Sequence, residues 1–282
     1  MTVAAPTPAR LLAAAAVAQS GHAVDVETRH PHQRSAAEVV GAGAPSGEYD
    51  VVIDAAAGLD LPVQVAIAGR GRDRTRLEPR LKELRSLGYD AEAIAFDMAD
   101  RAAMARALAD APSIDVLVHN VGERDRRAFL DIEPEAFERL IDVDLTAAHA
   151  LVRHVLPGML ERKWGRLIMV TSIAGDLAVP NASSYVTAKG GLAAFTRALA
   201  VEFGARGITA NALSPGFFAT ETNQRMIASP NGEKHRERSP AKRWADPAEI
   251  AGAALFLASP ASSYVNGHTL IVDGGVSATY LS

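Results

Sequence analysis

From residue 63 onward, short apolar runs alternate with amphipathic stretches. Residues 63–68, 91–96, 114–118, 167–170, 208–212 and 270–272 have the length and the Val, Ile, Leu and Ala content of buried strands. Between them lie helical patterns. Residues 73–87 carry Leu77, Leu81 and Leu84 on one face and stop at Gly88. Residues 101–109 and 188–203 follow the same period, and 134–155 is helical in two parts. Residues 246–258 open with Asp246 as N-cap and Pro247 in the first turn. Strands alternating with helices predict an α/β fold, a doubly wound and mostly parallel sheet in a single domain, with ligand sites at the strands' carboxyl ends.

The first 60 residues are less clearly punctuated. Residues 8–19 read as an alanine-rich helix, 22–27 as a strand, 35–40 as a short helix and 49–53 as a β-branched strand. The organisation expected is an atypical N-terminal α/β segment, 1–60, followed by a regular domain, 61–282. Arg10 and the apolar run after it loosely imitate a secretory leader. A single arginine and a run made mostly of alanine favour an ordinary helix.

Bulk properties narrow the partners. The 282 residues carry a net charge of −4, which argues for neither nucleic acid nor an anionic membrane. There are no cysteines, so disulfides, thiol catalysis and cysteine metal sites are excluded, and a reducing cytoplasm is the expected location. No run of 18 apolar residues occurs to span a bilayer. A small-molecule substrate is the expected partner, and no metal is expected.

The candidate chemistry lies in residues 168–191. Ser172 follows the 167–170 strand, Tyr185 comes thirteen residues later, and Lys189 four after that. Tyr185 and Lys189 fall one helical turn apart on one face. A phenol has a reference pKa near ~10 and is a poor base at neutral pH. An ammonium one turn away favours the phenolate. A nearby serine hydroxyl can hold a substrate oxygen as charge develops on it. Together these groups make an acid–base site for an alcohol or a carbonyl.

This pattern resembles the short-chain dehydrogenase/reductase family, whose Ser, Tyr and Lys have the same spacing. Further motifs follow in family order: Asp97-Met98 after a strand, His119-Asn120-Val121-Gly122 where the family writes Asn-Asn-Ala-Gly, Ser214-Pro215-Gly216 with Thr220, and residues 206–211 and 265–275. Residues 215–223 and 239–244 resemble the gluconate 5-dehydrogenase and 3-oxoacyl reductase branches. The resemblance implies a Rossmann-like fold and hydride transfer between NAD(P)(H) and a carbonyl or secondary alcohol. It implies Tyr185 as acid and base, Ser172 holding the oxygen, and Lys189 binding the ribose. Asp97 and Met98 would meet the adenine, Asn120 would hold the strand end, and Gly122 would let the backbone approach the cofactor. Pro215, Gly216 and Thr220 would turn over the nicotinamide. A homotetramer or homodimer is also implied. Arg70 and Arg72 follow the strand that points at the adenosine ribose, and a basic residue there favours NADP(H) over NAD(H). Arg124, Arg126 and Arg127 follow Gly122; they could attract a carboxylate, though a solvated loop is the reading preferred for them.

Two departures from the family matter most. Where it has the Asn of an Asn-Leu step, orienting a relay water beside Lys, this sequence has Asp144. Asp144 could accept from that water, at the cost of a negative charge near Lys189. The glycine-rich phosphate loop is also missing. Residues 41–47 have glycines but precede a strand, 51–58 have a strand but no following helix, and 2–18 put prolines, which lack N–H groups, in the glycines' place. A second reading therefore stands beside the oxidoreductase: a non-redox protein on the same fold, either a cofactor-free isomerase or dehydratase or an interaction subunit.

Overall fold

In a computed structural model the described residues are 49–54, 64–70, 78–86, 90–109, 111 and 113–280. The expected elements in 8–40, together with Arg72, lie outside them. Seven strands form one sheet in the order β3-β2-β1-β4-β5-β6-β7. They are β1 (Tyr49–Asp54), β2 (Gln64–Arg70), β3 (Asp90–Phe96), β4 (Val116–His119), β5 (Gly165–Val170), β6 (Ile208–Pro215) and β7 (Thr269–Val272). The longer helices are α1 (Glu78–Ser86), α2 (Arg101–Leu108), α3 (Pro134–Ile141), α4 (Ala147–Arg162) and α5 (Ser183–Phe203), then α6 (Gln224–Ile227), α7 (Pro230–Arg238) and α8 (Ala251–Ala258). The fold is the mostly parallel, doubly wound α/β domain that the alternation implies.

Successive strand residues face opposite sides. Leu117, Leu167 and Met169 pack with Leu151, Met159, Leu192 and Leu199 from α4 and α5. Their neighbours Val116 and Ile168 pack with Leu213 and with Ala254, Leu257 and Ala258 of α8 on the other face. Asp246 caps the 3-10 turn (Pro247–Ile250) that leads into α8, in a full capping box with Glu249.

The helical stretch expected in two parts is α3 and α4, joined by a π-turn (Asp142–Thr146) in which the Ala147 N–H bonds the Asp142 carbonyl. α5 starts at Ser183, five residues earlier than its periodicity suggests, so both Tyr185 and Lys189 lie on it. α6 and α7 had no counterpart in the apolar pattern.

One strand runs against the rest. β1 pairs antiparallel with both β2 and β4, while β2–β3 and β4 through β7 pair in parallel. Asp54 therefore ends beside Val65 and Val116, at the amino edge of the sheet. In a parallel doubly wound sheet, the helix after this strand would start at the carboxyl edge and present its N-terminus to a ligand's phosphates. β1 runs the other way, so its own carboxyl end lies at the opposite edge.

Candidate active site

The carboxyl ends of the parallel strands line one edge. Arg70 closes β2 in register with Phe96, one residue before Asp97. His119 closes β4 in register with Met169, and Val170 pairs Leu213. The residues expected to act together thus leave the sheet side by side.

Ser172 follows β5 and caps a 3-10 turn (Ile173–Gly175), its Oγ accepting from Ala174 N at 3.2 Å. That turn packs directly on α5. A Cβ on Gly175 would stand 3.1 Å from Gly190 N and 3.1 Å from the Lys189 carbonyl carbon, so glycine permits the approach. The turn that carries Ser172 is thereby set against the helix that carries Tyr185, and the Ser172 hydroxyl favours the phenolate.

Lys189 is buried. Its Nζ donates to Val121 O at 2.7 Å and Val170 O at 3.1 Å, stands 5.8 Å from the Tyr185 ring centroid, and lies 3.8 Å from Asp144 Oδ2. The last distance is beyond hydrogen bonding. Burial pushes the Tyr185 phenol up. The charges of Lys189 and Arg124, with hydrogen bonds from Ser172 and Arg124, outweigh it and hold the phenol below its ordinary value of 10.

Asp144 is fully buried on the π-turn, and its Oδ1 accepts from Glu123 N at 2.7 Å. Its backbone carbonyl meets His119 Nε2 at 3.2 Å. His119 is itself fully buried, and burial followed by the Lys189 charge drives its imidazole down to about 3, against the opposing effect of the hydrogen bond to Asp144. Gly122 sits between them. A side chain there would begin 3.3 Å from Lys189 Nζ and 3.7 Å from Asp144 Oδ2, so the nearest groups served by its smallness are Lys189 and Asp144.

Arg124 is a functional candidate that the sequence reading left in a solvated loop. Its guanidinium carbon lies 5.6 Å from the Tyr185 ring centroid, and its Nη1 donates to Asn223 Oδ1 at 2.9 Å. Asn223 is buried and donates to Phe218 O at 2.8 Å. Arg126 reaches Met226 Sδ of α6 at 3.2 Å. All three arginines are exposed, as a solvated loop requires, and Arg127 pairs with Asp125. The three consecutive-looking arginines were visible in the sequence; Asn223, 99 residues from Arg124, had no local signal.

The remaining expected residues divide. Asn120 is exposed at the end of β4. Asp97 Oδ1 accepts from Ala99 N at 2.9 Å. The Met98 side chain is buried in the core. Gly216 N bonds Val272 O at 2.9 Å, and a Cβ on Gly216 would strike Asp273. Thr220 Oγ1 shares a hydrogen bond with Thr222 Oγ1 at 3.0 Å. Among the described residues no cluster of three or more His, Cys, Asp or Glu is placed to hold a metal, and no helix is long and apolar enough to cross a membrane.

Half-buried Ser172 and Tyr185 and buried Lys189 thus meet at the carboxyl edge of a doubly wound sheet. A family profile described as enoyl-(acyl carrier protein) reductase matches residues 55–277. The chain belongs to the short-chain dehydrogenase/reductase family, oxidoreductases acting between CH–OH and C=O groups. It is 34% identical over 230 residues to the 2-dehydro-3-deoxy-D-gluconate 5-dehydrogenase of Formosa agariphila, covering 79% of this chain and 87% of that one. Among solved structures it is similar to a gluconate 5-dehydrogenase from Burkholderia cenocepacia in complex with NADP and tartrate (TM-score 0.70, 33% identity, 76% and 85% of the two chains). It is also similar to a 3-oxoacyl-[acyl-carrier protein] reductase from Brucella melitensis (TM-score 0.71, 30% identity, 78% and 82%).

The donor chemistry of this edge fits the two ends of a nicotinamide dinucleotide. Asp97 follows β3 and Arg70 ends β2, while Asn120 and Pro215 lie at the ends of β4 and β6 and Tyr185 and Lys189 lie on α5.

Proposed function

We propose that the protein transfers hydride between NADP(H), favoured over NAD(H), and a secondary hydroxyl or carbonyl of a polyhydroxy acid. The observation that carries this reading is the Tyr185 phenol, held below its ordinary value by two cations and a serine hydroxyl. Bound nicotinamide supplies the hydride. Tyr185 gives its proton to the carbonyl oxygen in reduction and removes it from the alcohol in oxidation. Ser172 holds that oxygen, and Lys189 and Arg124 stabilise the phenolate left behind. Lys189, Asn120, Gly122, Pro215, Gly216 and Thr220 hold the nicotinamide riboside. Asp97, the Met98 backbone and Arg70 hold the adenosine. Asp144 has its Oδ1 on Glu123 and its carbonyl on His119, an arrangement that supports a fixed counter-charge behind Lys189 more than a water relay.

An acidic substrate is supported from two sides. The relatives include dehydrogenases named for gluconates and a structure holding tartrate. Arg124 and Arg126 flank Tyr185, and no carboxylate among the described side chains pairs with either. The test is NADPH oxidation across a panel of keto sugar acids, neutral ketones and quinones, with Tyr185→Phe as control. Turnover that survives Tyr185→Phe undiminished overturns the mechanism.

The reversed β1 favours one rival, a non-redox protein on the same fold. Titration with NADPH and NADH separates the two, since no measurable affinity for either would support the rival. A cytoplasmic homotetramer or homodimer, joined through α4, α5 and β7, completes the proposal. Exposed Val201 on α5 and Ile271 on β7 support it.

A further inference from the structure

His119 and Asp144 are two positions at which the sequence departs from the family's Asn, and the fold brings them into contact across 25 residues of chain. The contact leads to Lys189. Asp144 and Lys189 are both almost completely buried, where opposite charges attract strongly. An untethered carboxylate there would be drawn toward the ammonium. Closing the gap by about 1 Å would complete a charge-assisted hydrogen bond. It would also draw Nζ from Val121 O and Val170 O and spend on a carboxylate the charge that Tyr185 uses.

Hydrogen bonds tether Asp144 on both its side chain and its backbone. Glu123 N–H anchors Oδ1 at 2.7 Å. His119 Nε2 lies 3.2 Å from the Asp144 carbonyl, at the π-turn that places the residue. We propose that His119 is a positioning residue: its ring N–H fixes the Asp144 backbone and keeps that carboxylate from neutralising Lys189. The proposal rests on the acid–base reading of Tyr185. An imidazole suits the task here. Enclosed in the core beside a cation, it stays neutral across the working pH range and so remains a single, constant donor. Its Nδ1 is buried without a hydrogen-bond partner among the described residues, so the Asp144 carbonyl is the polar contact that the structure gives this ring.

The effect is read on Tyr185. The charged and titratable groups that act on it are Lys189 on its own helix, Ser172 after β5, and Arg124 and Arg126 on the loop after β4, with Asp144 and His119 behind Lys189. The measurement is tyrosinate formation by ultraviolet absorbance in the full chain. The Tyr185→Phe variant is subtracted to remove the other four of its five tyrosines. His119→Ala should move the Tyr185 titration up by about one pH unit. His119→Asn and His119→Gln, which keep an N–H donor, should restore it. In an Asp144→Asn background, removing His119 should leave the titration where it was. Thermal unfolding checks that each variant is folded, and His119→Met, which fills the space without an N–H, replaces His119→Ala if that variant does not fold. A titration unmoved by losing the donor overturns the proposal. So does an equal shift in the Asp144→Asn background, or failure of both amide variants to rescue. Because the readout needs no turnover, absence of reductase activity would sink the proposed function and leave this result standing.

Discussion

Arg124 joins three parts of the site: its guanidinium carbon is 5.6 Å from the Tyr185 ring centroid while its Nη1 holds Asn223 at 2.9 Å. The loop after β4, the acid–base tyrosine and the turn leading into α6 therefore meet on one side chain. Arg124→Gln removes the charge and keeps an amide. The Tyr185 phenol should rise toward its ordinary 10. Alcohol oxidation needs the phenolate, so its rate climbs as pH passes upward through that value. The variant's climb should come at higher pH, and KM for an acidic substrate should rise about tenfold. Profiles of kcat/KM against pH for an acidic and a neutral substrate check both.

Tyr185→Phe deletes the proton donor and leaves the ring. The expected loss in kcat is about 10²- to 10⁴-fold, the usual share of general acid–base catalysis. NADPH fluorescence titration should show binding largely retained, which separates lost chemistry from a lost site.

His119 makes stability pH-dependent. Its folded value of about 3 lies below the ordinary 6.5, so the unfolded chain binds a proton that the folded one refuses. The stabilisation is complete above pH 6.5 and is lost as pH falls toward 3, at about 1.4 kcal/mol per pH unit from this group. In His119→Asn that contribution to the slope should vanish. Urea unfolding followed between pH 4 and pH 7 for both proteins (~0.5-unit steps) measures it.

Gly175→Ala inserts a methyl 3.1 Å from two backbone atoms of α5, which cannot rotate away. The Ile173–Gly175 turn must lift, taking Ser172 from Tyr185. Thermal unfolding should show a loss of about 1–3 kcal/mol. The kcat should fall about tenfold or more, as expected when a positioned group moves by a fraction of an ångström.

Much of this was legible in residue order. The strands after residue 63 follow their apolar runs, Asp246 caps where expected, and the break within 134–155 falls at the π-turn. Ser172, Tyr185 and Lys189 converge because strand-end and helix spacing are local properties. The direction of β1 was not legible. Alternation with period two reads the same in either direction, so a β-branched run such as Tyr49–Asp54 specifies a strand and not its polarity. α7 left no apolar stripe either. Its PNGEKHRER is held by a Ser229 cap and by Trp244 Nε1 donating to Gly232 O at 3.2 Å. The contacts of Arg124 were not legible because its partners, Tyr185 and Asn223, are distant in sequence.

The π-turn at Asp142–Thr146 has a consequence for which mutations the chain can survive. It holds one residue more than an ordinary helical turn, and each helical residue advances the azimuth by about 100°. Leu151, Val155 and Met159 face the sheet only with that extra residue counted. A single-codon deletion here would swing α4 by that angle and turn its apolar stripe toward water. A change of length at 142–146 therefore costs the packing of the whole of α4, whereas a substitution there costs the contacts of one side chain.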